Sequence, residues 1–120
     1  MKYLNKTVGK MGEDLACTFL QKRNYKIIER NWGNKWGEID IICLTRFCTY
    51  AFVEVKTKVG NYYGTPEEMV GKRKLFQIQR MAETYAPALK QRKQVDVLAV
   101  VLNPDYSVKR IDLYEGVYSL

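Results

Sequence analysis

Histidine is absent from this chain. Without it, neither a Ser-His-Asp triad nor a His-ligated zinc site can be built from these residues alone. Cysteine is scarce: Cys17, Cys43 and Cys48 form an odd set without the paired Cys-x-x-Cys spacing of a zinc site. All three lie in or near apolar runs, which predicts buried free thiols and a reducing compartment. No apolar run reaches the length of a membrane span. The lysines between Met1 and Lys10 are not followed by the apolar stretch of a signal peptide. These absences predict a cytoplasmic protein with no membrane partner.

What is present fits one globular domain, residues 1–120, with 47% hydrophobic and 28% charged residues. No repeat, low-complexity tract or linker divides it. Lys and Arg total 20 against 13 Asp and Glu, a formal charge of +7. A basic excess favours polyanions, because each neutralised phosphate releases condensed counterions.

Periodicity predicts the order αβββαββ. Val8, Met11, Leu15 and Phe19 recur at helical spacing between Asn5 and Arg23, and Gly9, Gly12, Ala16 and Leu20 form a second stripe, which predicts a first helix packed on two sides. A strand follows over Tyr25–Asn31, then a loop marked by Gly33, Asn34 and Gly37. Glu38–Leu44 and Thr49–Lys58 are close enough to form an antiparallel hairpin. Thr65-Pro66-Glu67-Glu68 is a capped helix start, Gly71 breaks or kinks that helix, and Pro87 ends it. Val95–Leu102, apolar except for Asp96, reads as a strand buried on both faces. A final alternating segment begins at Val108.

The hairpin carries the chemistry. If its turn centres on Phe47, Asp40 lies opposite Glu54 and Glu38 opposite Lys56. Facing carboxylates destabilise a ladder unless a cation lies between them, and Mg²⁺ or Mn²⁺ would suit two such oxygens. Lys56, two residues from Glu54, points to the same face and can orient water or stabilise charge during attack on a phosphodiester. A solvated strand face is the bland alternative. Against it, Ile42, Leu44, Tyr50 and Phe52 share that face, while Ile39, Ile41, Val53 and Val55 take the other, so the charges cluster at one end of a covered sheet.

Glu38-Ile39-Asp40 followed by Glu54-Val55-Lys56 resembles the bipartite PD-(D/E)XK nuclease signature, with Ile39 in place of its proline. With Gly12-Glu13, Ala16, Arg30-Asn31, Gly37 through Ile42 and Phe52 through Lys56, the chain resembles the bacterial YraN family, itself similar to archaeal Holliday-junction resolvases. The likeness extends from the first helix to Val95-Asp96-Val97. It implies a restriction-endonuclease-like three-layer α/β/α core around a mixed sheet. It further implies Asp40 and Glu54 as metal-binding carboxylates, Lys56 as catalytic lysine, and Glu13 as a further acidic group at the metal. Resolvase-like proteins pair to match a two-fold junction, so the likeness leaves a homodimer in view.

Between Gly71 and Lys93, seven basic residues face one acidic residue, Glu83, so this stretch carries +6 of the formal charge. Lys72, Arg73, Lys74 and Arg80 on the helix, with Lys58 at the end of the E-x-K strand, are the expected phosphate contacts. Tyr62 and Tyr63 add rings for stacking. Trp32 and Trp36 either stack on a base or cover the end of the sheet. The expectation is a Mg²⁺- or Mn²⁺-dependent endonuclease acting on DNA ahead of RNA, on branched or structured forms. Its alternatives are a nucleic-acid-binding module that keeps the fold without turnover, and an interaction protein whose acidic cluster pairs with Lys56.

Overall fold

The computed structural model describes residues 2–61, 64–87 and 90–119. Its elements run α1 (Lys2–Lys22), β1 (Lys26–Asn34), β2 (Gly37–Leu44), β3 (Tyr50–Val59), α2 (Pro66–Val70), α3 (Lys72–Thr84), β4 (Lys93–Leu102) and β5 (Val108–Ser119). The strands form one open sheet in the order β1-β2-β3-β4-β5, antiparallel throughout except for the parallel β3–β4 pair. A parallel pair needs a crossover, and α2 with α3 provides it.

Alternating side chains build a core on each face. Ala16 and Leu20 of α1 pack with Ile41, Cys43, Val53, Leu98 and Val100. Leu75, Ile78, Met81 and Ala82 of α3 pack with Ile42, Phe52, Val95 and Val97. The sheet thus lies between helices, and β4 is buried from Val95 to Leu102 as its composition predicts. Val8, Met11, Leu15 and Phe19 border the same cluster as Ala16 and Leu20. The two stripes of α1 therefore form one broad face, not two packing sides. Gly12 makes the closest approach: a Cβ there would overlap Thr57 Oγ1 and stand 2.9 Å from Thr57 Cβ.

The expected crossover helix is divided at Gly71, whose φ of 90° lies where side chains are disfavoured. Its start is a capping box: Thr65 Oγ1 accepts from Glu68 N at 3.2 Å, and Glu68 Oε1 accepts from Thr65 N at 3.1 Å. Helix α3 ends at Thr84, short of Pro87, because Tyr85 turns extended. The Tyr85 ring then meets Phe52 and Trp32 edge-on. Lys93 Nζ donates to the carbonyls of Ala82 and Tyr85 at 3.0 and 2.6 Å, which caps this end.

The β2–β3 turn does centre on Phe47. Thr45 Oγ1 accepts from the amides of Phe47 and Thr49, and the ladder runs Leu44↔Tyr50 to Ile41↔Val53. Cys48 lies exposed in that turn, while Cys17 and Cys43 are buried; all three thiols are free. The first hairpin is tighter than its glycines suggest. β1 and β2 extend to Asn34↔Gly37 and leave Lys35 and Trp36 as the turn.

One irregularity positions the site. The β1–β2 ladder passes from Arg30↔Ile41 to Trp32↔Ile39 without pairing Asn31 and Asp40, and Asn31 has a φ of 54°. Asn tolerates that left-handed region better than most residues. Side-chain alternation resets there: Ile41 faces α1, whereas Ile39 joins the α3-side core with Trp32. The expectation that Ile39 and Ile41 share a face fails for this reason.

Candidate active site

β2 and β3 part company just beyond Ile41↔Val53. The next residues on each strand are Asp40 and Glu54. The expected register holds as far as Ile41↔Val53, but Asp40 and Glu54 do not pair through the backbone, and neither do Glu38 and Lys56. Asp40 Oδ2 instead accepts the Val55 N–H at 2.8 Å, so a side chain takes the place of a ladder carbonyl. The opening between the strands is a cavity of about 320 Å³. It is lined by Val8, Gly9 and Glu13 of α1 together with Asp40, Glu54 and Lys56.

Glu54 is buried, with 8% of its surface exposed, and its Oε2 has no hydrogen-bond partner. Burial, then the charge of Asp40, pushes its pKa up to about 8, against the pull of Lys74 and Lys56. Asp40 is also raised, mainly by burial, although the Val55 N–H and Lys74 oppose the shift. Two crowded carboxyl groups with an orphaned oxygen fit a hard cation. The fit concerns the pair: among the described residues, no three Asp, Glu, Cys or His side chains converge as a ready metal cage. Mg²⁺ commonly needs only one or two carboxylates, with water and substrate oxygens completing its shell.

Glu13 lines the same cavity, half-buried, and its Oε1 accepts from Asn31 Nδ2 at 2.9 Å. The same amide donates to Glu38 Oε1 at 2.9 Å, so Asn31 holds two acidic side chains beside the pair. Its sequence signal was the Arg30-Asn31 pairing, which pointed to no role; Arg30 binds Asp14 at 2.8 Å. Lys56 is half-buried on the cavity wall. Lys74 is more than an outlying phosphate contact. It acts on both carboxyl groups, and on Glu54 more strongly than Lys56 does.

The other basic residues spread outward. Lys72, Arg73 and Arg80 are exposed along α3, and Lys58 is half-buried further along β3. Lys93 is taken up by its helix cap. Tyr62 and Tyr63 lie outside the described residues. The two tryptophans divide the roles open to them: Trp32 is half-buried against Tyr85, whereas Trp36 is 60% exposed.

Asp96 is fully buried at a break in the β4–β5 register, where its Oδ1 accepts from Gly116 N at 2.8 Å and Gln94 Nε2 at 2.9 Å. Burial raises its pKa to about 6. Its Oδ1 satisfies a backbone donor at that break, which is a structural task.

A sequence model of the Uncharacterised protein family UPF0102 matches residues 12–100. The chain is 41% identical over 109 residues to a UPF0102 protein of Caldanaerobacter subterraneus, covering 88% of each. It is 40% identical over 118 residues to one of Clostridium botulinum, covering 92% of this chain and 95% of the relative. A UPF0102 protein of Geotalea daltonii is 39% identical over 121 residues, covering 97% and 92%. The matched segment contains Glu13, Asp40, Glu54, Lys56 and Lys74. No helix among the described residues is long and apolar enough to cross a membrane.

Proposed function

Given that this chain belongs to the uncharacterised family UPF0102, we propose that it is a metal-dependent endonuclease of the PD-(D/E)XK kind, hydrolysing phosphodiester bonds in DNA. The observation that carries this reading is buried Glu54 beside half-buried Asp40, with Glu54 Oε2 unpartnered and Lys56 next to them where β2 and β3 separate.

Asp40 and Glu54 would hold Mg²⁺ or Mn²⁺, and Glu13 stands across the cavity as a further acidic group. When bound, such an ion supplies Lewis acidity toward a phosphoryl oxygen and acidifies water. Glu54 must release its proton first, since its pKa lies near 8. Asp40 is held in place by the Val55 N–H, which donates to its Oδ2. The ammonium group of Lys56 orients the attacking water and stabilises charge on the phosphate as the leaving oxygen departs. Lys74 offsets the summed negative charge of pair and phosphate. Lys72, Arg73 and Arg80 extend positive charge along α3, where a phosphate backbone would lie.

The test is cleavage of labelled branched, duplex and single-stranded DNA with Mg²⁺, Mn²⁺ or EDTA. Cleavage that requires metal and disappears in Glu54→Ala and Lys56→Ala supports the reading. Binding without cleavage under every metal refutes it in favour of a non-catalytic nucleic-acid-binding module.

A further inference from the structure

We propose that the groove between the β1–β2 turn and α3 holds an unpaired nucleobase, stacked on Trp36 and Phe76, with the flanking phosphates on Arg73 and Arg80. The proposal deepens the nuclease reading and rests on it for the class of ligand, a nucleic acid strand. What it adds is the feature recognised.

Trp36 is 60% exposed and Phe76 56% exposed. Single exposed aromatic residues are ordinary, but these two line one groove of about 620 Å³ with Arg73, Gln77 and Arg80. Each ring already lies near a cation: Lys35 Nζ is 5.1 Å from the Trp36 ring centre, and Arg80 Cζ is 5.9 Å from that of Phe76. Rings interleaved with cations suit a strand whose bases stack while its phosphates pair.

The turn is built to hold Trp36 in place. The Trp36 N–H donates to Asn34 Oδ1 at 2.8 Å, and its carbonyl accepts from Gln77 Nε2 of α3. Gly37, with a φ of 144°, lets the turn lie against α3: a Cβ there would stand 2.9 Å from Gln77 Nε2. The backbone of Trp36 is thus clamped from two sides while its ring stays in solvent. A turn fixed in advance presents its ring with less backbone ordering cost on binding. Lys74, whose charge bears on both carboxyl groups of the candidate site, lies one helical turn from Gln77 of the groove on α3. Glu83, the acidic lining residue, falls toward the other end of that helix.

A paired base in a duplex has both faces covered by its neighbours and offers nothing to these rings. The groove therefore selects strands with unpaired bases, such as single-stranded segments, flaps or open junctions.

The test is binding of a short fluorescent oligothymidylate and of a duplex of equal length, without divalent metal, to the full chain. Trp36→Ala and Phe76→Ala should each weaken oligothymidylate binding by about 5- to 150-fold, leave duplex binding unchanged and keep the salt dependence. Trp36→Phe should retain most of the affinity. Arg73→Ala and Arg80→Ala should each flatten the plot of log K against log salt by about 0.7. Equal losses for single strand and duplex, or no loss in either aromatic variant, would overturn the proposal. So would a change confined to self-association in sedimentation, which would make the groove a contact between copies. Wild type that stacks single strands but cleaves no DNA under any metal counts against the catalytic reading alone, and stacking absent with cleavage intact counts against this inference alone.

Discussion

Glu54→Gln should make the protein more stable at mildly alkaline pH while abolishing the proposed cleavage. Glu54 is buried beside Asp40 with one oxygen unpartnered, and its pKa is raised from 4.5 to about 8. The folded protein therefore holds this proton more tightly than the unfolded chain does. Stability from this group is fully present below the unfolded value and is lost as pH rises through the folded one. The slope approaches about 1.4 kcal/mol per pH unit, so about 2 kcal/mol disappears between about pH 6.5 and pH 8. Asp96, raised to about 6, has the same sign but loses most of its contribution below that window. The raised thiol of Cys43, pushed to about 12 by burial, titrates above it. Asp40 belongs to the same pair and shifts in the same direction. Glutamine has the shape of the protonated acid and cannot ionise. Urea unfolding in EDTA should show wild type weakening across the window while Glu54→Gln stays level and ends about 2 kcal/mol more stable. Mn²⁺ should restore wild type at the alkaline end and leave the variant unchanged. A flat wild-type profile, or a variant less stable than wild type at the alkaline end, would refute the claim that Glu54 carries a proton in the folded protein.

Asp40→Ala should cost about 1–3 kcal/mol more in urea unfolding than Asp40→Asn, because asparagine keeps an oxygen for the Val55 N–H and alanine leaves that donor unpaired; equal costs would contradict the side-chain capping of β3. Lys74→Ala should raise the pKa of Glu54 further and move the acid limb of the cleavage pH profile upward, so a profile identical to wild type would remove Lys74 from the site. Gly12→Ala should destabilise by about 1–3 kcal/mol through its clash with Thr57. Adding Thr57→Ala removes the Oγ1 overlap and should recover part of that loss, and a double-mutant cycle with no coupling would show that α1 and β3 do not meet there.

Much of the site was legible in the sequence because its spacing is set by simple ladder geometry. A turn centred on Phe47 aligns Asp40 with Glu54, and the register keeps that alignment as far as Ile41↔Val53. The capping box at Thr65 and the broken helix at Gly71 follow from local chemistry and were equally readable. The parting of the strands was not. A period-two reading assumes a continuous ladder, whereas the Asp40 side chain takes over a backbone donor and Asn31 adopts a left-handed conformation opposite it. The amide of Asn31 joins Glu13 to Glu38 across three elements, and no local pattern encodes such a contact. The approach of Lys74 to the carboxylates depends on how the crossover returns α3 over the sheet, so in sequence it looked like any other lysine of a basic helix. The exposure of Trp36 against the burial of Trp32 turned on a hairpin tighter than its glycines suggested.

The unpaired Asn31 and Asp40 act in the sheet as a dislocation does in a crystal: two regular lattices of opposite phase meet along a line, and slip on one side leaves the other undisturbed. Beyond that line lies the tip of the first hairpin, with Trp32, Trp36 and Ile39; behind it lies the body of the sheet, with Ile41, Cys43 and Val53. Changes in the length or shape of the tip are absorbed at the fault and do not re-index the residues behind it.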